Sequence, residues 1–215
     1  MEPVQWLRII HVAAGGTALV AAVVAAGTKA LGLPHGWHVL GGRLFVAAMA
    51  GIFATAAPLA AVDRNPFLLL IAILSFYLAV AGWRYATWRS GRLRLVDWGS
   101  ALLMVVASLI MVSLGVTVLA GSRSGNGVVM LVLGAIGLFL SAGDLRRLFG
   151  SPMAPAERIA RHLTMMLAGT IAILTAFLVV NVRTDPAFIA WLAPTALLSP
   201  VIAVLAWRVR HGRLP

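Results

Sequence analysis

Cysteine is missing from the 215-residue chain, which excludes disulfides, thiolate metal sites and cysteine nucleophiles. Lysine occurs once, at Lys29 beside a loop, so no bundle lysine is available for a retinal Schiff base. Charged residues make up 11% of the chain, far below the quarter or so usual in soluble domains, while 61% of residues are hydrophobic. Ser-His-Asp order, a glycine-rich phosphate loop and an HExxH stretch are all lacking. So is the H-x-x-x-H pair carried by seven-helix membrane zinc hydrolases. An enzyme reading therefore has no candidate nucleophile or base. No repeat at a fixed period is visible, which removes the usual sign of inverted-repeat transporters.

What is present is a series of long apolar runs. A spanning helix needs about 20 mainly apolar residues. Seven segments qualify: 4–31, 38–62, 66–88, 95–120, 127–145, 158–182 and 187–207. The segment 127–145 is the weakest, being short and ending in Asp144, Arg146 and Arg147. The connections are short and polar or rich in Gly and Pro, and none is long enough to separate domains. The expectation is one all-α domain over residues 1–215, a polytopic bundle of seven transmembrane helices. The start of the chain does not read as a cleaved signal peptide, because Glu2 precedes its arginine and the apolar run is too long.

The formal net charge of +11 would suggest nucleic acid in a soluble protein. Here the arginines lie between apolar spans, so they read as topology determinants and contacts to anionic lipid headgroups, with no nucleic-acid partner. Of the 17 Lys and Arg, thirteen fall on one side of the seven-span arrangement and four on the other. The positive-inside rule then puts the N-terminus outside and the C-terminus in the cytoplasm of a multi-pass protein of the bacterial inner membrane. Arg89, Arg92 and Arg94 read as loop residues that snorkel to the headgroups.

A cluster of ionisable residues falls near the cytoplasmic ends of the spans: His38, Arg43, Arg84, Asp97, Asp144, Arg161 and His162. Arg84 and Asp97 are expected to pair across a loop. Asp144 needs a partner, and Arg146 and Arg147 are too close in sequence to face it on a helix, so Arg161 or His162 is expected to meet it. His38 and His162 both begin spans on that side and are expected to approach one another, with Gly42 and Gly169 leaving room for a ligand or a close helix contact. His38, Arg43, Asp144, Arg161 and His162 thus form a candidate ligand-binding set. His35 and His38 could supply two metal ligands, and His38 with His162 could bracket a haem iron, yet two histidines alone specify neither haem nor metal. His11 lies alone near the opposite end, as a separate outer-half position. Ala14, Ala18, Ala22 and Ala26 form a small-residue seam for a neighbouring helix, in this chain, a second copy or a membrane partner. Pro194 and Pro200 are expected to kink the last span.

Several stretches resemble a family of bacterial integral membrane proteins of unknown function. The family pattern places a histidine early in the first span and His-Arg-x-x-Gly-Arg at the second. This chain has His11-Val-Ala-Ala-Gly15, then His38-Val39-Leu40-Gly41-Gly42-Arg43, with Val39 in place of the family's first arginine. YLAVAGWRY from Tyr77, ARHLTMMLAGTIAILTAFLVVN from Ala160 and WLAPT from Trp191 also look like family stretches. The resemblance implies a membrane bundle and the same histidine positions, and it brings no activity. The expected function is a membrane protein that binds a small ligand or cofactor at a polar site in its cytoplasmic half. The alternatives are a small transporter or channel, or an accessory subunit of a membrane complex.

Overall fold

The computed structural model describes residues 2–87, 95–122, 124–148 and 153–213. They form seven helices: α1 (Pro3–Ala30), α2 (His35–Val62), α3 (Pro66–Thr87), α4 (Leu95–Ser122), α5 (Gly125–Leu148), α6 (Pro155–Asn181) and α7 (Phe188–Arg210). No strand occurs among the described residues. Each helix is long and apolar enough to cross a bilayer, and the molecule is a multi-pass seven-helix membrane protein.

The helix ends follow from local chemistry. Pro3 and Pro155 open α1 and α6, where a missing N–H costs nothing. At α1 the N–H of Glu2 donates to Gln5 Oε1 at 3.2 Å, which satisfies one otherwise free donor. α2 starts three residues earlier than its apolar pattern, directly after Pro34, so His35 and His38 share its first turn. α5 runs three residues past its apolar segment and takes Arg146 and Arg147 into the helix. The prolines of α7 and Pro58 of α2 lie inside continuous helices.

α3 and α6 form the centre. α3 packs on α2, α4 and α6, while α6 also packs on α1 and α7. α1 pairs with α2, and α4 with α5, as two hairpins on the flanks. The alanine seam of α1 is used within the chain: Ala18 and Ala22 are buried, Gly51 of α2 sits against Ala14, and Gly41 backs onto the α1 main chain at Ala21 and Ala25. A Cβ at Gly41 would lie 3.0 Å from the Ala25 nitrogen, so only glycine allows that approach. α5 and α6 are not packed along their length. Arginine side chains bridge them instead: Arg161 reaches Asp144 and the Leu140 carbonyl, and Arg147 reaches Glu157.

Candidate functional site

The polar residues of the bundle collect at the end where α1, α3, α5 and α7 finish and α2, α4 and α6 begin. This is also the arginine-rich end. Two separate networks lie there.

The first is built on Asp144, whose side chain is buried. Tyr77 Oη donates to Oδ2 at 2.6 Å and Tyr85 Oη donates to Oδ1 at 2.7 Å. Arg161 Nε donates to the same Oδ1 at 3.0 Å, and its Nη2 both meets Oδ1 and donates to the Leu140 carbonyl at 2.6 Å. A carboxylate at this depth is tolerated because a cation and two phenols take up its lone pairs. The network ties α3, α5 and α6 together. Arg158, one turn before, donates to the carbonyls of Tyr85 at 2.8 Å and Ala86 at 3.0 Å, a cationic cap on the last turn of α3.

The second network is built on histidines. His162 on α6 donates from Nδ1 to the Gly82 carbonyl of α3 at 2.8 Å, and His38 on α2 donates from Nδ1 to the Ala25 carbonyl of α1 at 2.9 Å. A carbonyl can only accept, so each neutral ring carries its proton on Nδ1 and keeps the Nε2 lone pair. The two rings lie 6.3 Å apart, centroid to centroid, with planes at 85°. His35 stacks on His38 at 5.8 Å, extending the row toward solvent.

The expected convergence of His38 with His162 and of Asp144 with Arg161 is therefore present in the geometry. The Arg84–Asp97 pair is present too, as a two-pronged contact at 2.7 and 2.8 Å. Arg43 departs from expectation: it is exposed and has no hydrogen bond or ion pair among the described residues. The reason is helical phase, since five residues turn a helix by about 500°, which leaves Arg43 about 140° round α2 from His38. Gly169 does not leave room for a ligand, because the Phe45 ring fills the space over it. Gly82 similarly receives Met166. Arg89, Arg92 and Arg94 lie outside the described residues.

His11 sits at the other end of α1, away from His38. Its Nδ1 is 2.9 Å from Thr55 Oγ1, and that hydroxyl donates its own proton to the Gly51 carbonyl at 2.8 Å, so His11 is the donor between the rings and hydroxyl. Tyr77 and Tyr85 were the residues missed from sequence. The available signal was their rarity: they are the chain's two tyrosines, eight residues apart and so about 80° apart on one helix.

The two networks differ in what they can do. Asp144 accepts on both oxygens, from Tyr85 and Arg161 on Oδ1 and from Tyr77 on Oδ2, and is paired with a buried cation, so it acts as a clasp. The histidines are half-used, with Nδ1 fixed by backbone and Nε2 left as an acceptor, the arrangement found in metal-ligating imidazoles. Among the described residues, no three His, Asp or Glu side chains come together as a metal site. A closed tetrahedral centre is thus not provided by those residues, and a centre with two imidazole ligands is the metal arrangement the pair could serve. No protein-family model, curated protein or solved structure matches the chain.

Proposed function

We propose that the protein is a ligand-binding or cofactor-binding protein of the bacterial inner membrane, with its N-terminus outside and its arginine-rich end in the cytoplasm. The ligand is held between His38 and His162. The observation that carries this reading is the meeting of two imidazoles from α2 and α6, each anchored by Nδ1 to a backbone carbonyl and each with no hydrogen bond at Nε2 among the described residues. Anchoring of this kind fixes ring orientation before a ligand arrives, which lowers the ordering cost of binding. Such a pair suits a metal centre needing two nitrogen ligands, haem iron included, or a small molecule that donates hydrogen bonds. The Asp144 clasp supports the site by fixing α6 against α3 one residue away from His162.

The test is the visible absorption spectrum and elemental analysis of protein purified in mild detergent, followed by small-molecule mass spectrometry of a denatured extract. A bound species lost from both His38→Ala and His162→Ala, with both variants still folded, is the expected result. Protein that carries no ligand by any of these measurements, or retains it unchanged in both variants, would overturn the reading.

A further inference from the structure

A cavity of about 1520 Å³ runs beside α6, between α5 on one side and α7 on the other, and reaches α2 and α3 toward its far end. That is larger than the roughly 300–1,000 Å³ of sites for drug-sized ligands. Its α6 wall extends from Arg161 to Val180, about 28 Å at 1.5 Å per residue, close to the hydrocarbon thickness of a bilayer. The walls are apolar, with Ile136, Leu140, Ala168, Ile171 and Ile202 among them. Phe139 and Val180 line it while remaining 77% and 83% exposed, so it is open sideways to whatever surrounds the bundle.

Four arginines stand at one mouth: Arg146, Arg147, Arg161 and Arg210. Arg147 is neutralised by Glu157 and Arg161 by Asp144. Arg146 and Arg210 have no ion-pair or hydrogen-bond partner among the described residues. The far half carries a second unsatisfied group. Thr175 is 6% exposed, lines the cavity, and its hydroxyl has no hydrogen-bond partner. It lies about 21 Å along α6 from Arg161.

We propose that the groove binds one anionic glycerophospholipid drawn from the surrounding bilayer. Its phosphate sits between Arg146 and Arg210, and one acyl chain runs along the α6 wall toward Thr175. Arginine on two helices is the geometry that grips a phosphate. The length and apolarity of the wall select a long hydrocarbon chain, and the sideways opening lets the lipid enter from the membrane. This site is distinct from the histidine pair, since neither His38 nor His162 lines the cavity.

The experiment is native mass spectrometry of the full chain in a neutral detergent, with phosphatidylglycerol and phosphatidylcholine of identical acyl chains added in competition, and oleate added separately. One phosphatidylglycerol per protein is expected, preferred over phosphatidylcholine by about thirtyfold if two arginines act at the usual strength. Arg146→Gln with Arg210→Gln should abolish the preference, and both residues are exposed, so the fold should survive. Ala172→Trp, which fills the wall, should lower retention of both lipids alike. Equal binding of the two lipids by the unaltered protein, tighter retention of oleate, or a preference that survives the double substitution would overturn the proposal.

Discussion

The two polar networks at the arginine-rich end teach opposite lessons about buried polar groups. Around Asp144 both carboxylate oxygens are used: two phenols, a guanidinium and a helix carbonyl close on one another across three helices. Around His38 and His162 half the valence is used: each ring is bonded at Nδ1, and the two rings lie 6.3 Å apart. Closed networks resist change and hold structure, whereas open ones retain capacity for a further partner. Both lie at the same end of the bundle and share helix α6, but Asp144, Tyr77 and Tyr85 are buried whereas His38 and His162 are half-buried. The count of satisfied atoms differs as well.

The comparison is broken most forcefully at Asp144. Asp144→Ala leaves Arg161 buried without its counter-charge and strips the acceptor from Tyr77 and Tyr85. Breaking a buried pair from one side costs about 3–5 kcal/mol. A large fall in the thermal unfolding midpoint in detergent is expected, with Asp144→Ala/Arg161→Ala recovering part of the loss in a double-mutant cycle. Next in size come Tyr77→Phe and Tyr85→Phe. Each removes one hydrogen bond to a charged acceptor, worth about 1.5–3 kcal/mol. Denaturation of the two variants side by side should show both destabilised, and both less so than Asp144→Ala.

The pairing within each network was legible in the sequence only to the extent that depth governs it. Apolar length placed seven helices, and alternation of ends brought Asp144 level with Arg161, and His38 level with His162. The span read from the sequence stops three residues before the end of α5 because Arg146 and Arg147 look like a return to water; with Asp144 paired to Arg161 and bonded by two tyrosines, the helix continues through them to Leu148. Tyr77 and Tyr85 escaped notice because an aromatic residue in an apolar span reads as core, and both are indeed buried. The identity of a partner depends on rotation about each helix axis, which hydropathy does not report. Arg43 shows the same gap from the other side, having the right depth and the wrong phase.

At the open network the effect on stability should be smaller. His162→Ala and His38→Ala each lose one neutral hydrogen bond to a backbone carbonyl, about 0.5–1.5 kcal/mol net. Thermal unfolding midpoints should fall modestly for both, while a ligand held by Nε2 is lost completely. His162→Asn and His38→Asn sharpen the point: an amide can restore the bond to the carbonyl without reproducing the imidazole lone pair at the same place, so stability should return and binding should not. If stability losses at the histidines equal that of Asp144→Ala, the two networks are alike and the distinction between closed and open fails.

The smallest effect is expected at Arg43, and it is the most discriminating because sequence alone assigned it to the same set as the histidines. Arg43 is exposed on α2, has no partner among the described residues, and is rotated away from His38. A long cationic side chain at such a position reaches the headgroup region and leaves its stem against lipid. Arg43→Gln should therefore change the unfolding midpoint by no more than a surface substitution does, within about 0.5 kcal/mol. It should also leave any ligand of the histidine pair bound at full occupancy. Its one measurable consequence should be electrostatic: fewer anionic relative to zwitterionic lipids retained around the protein in mixed micelles at low salt, a difference that added salt removes. A loss of histidine-bound ligand in Arg43→Gln would mean that α2 turns when the site is filled, bringing Arg43 round toward His162. Arg43 would then be part of the histidine site, and the argument from helical phase that sets it apart from His38 would have to be abandoned.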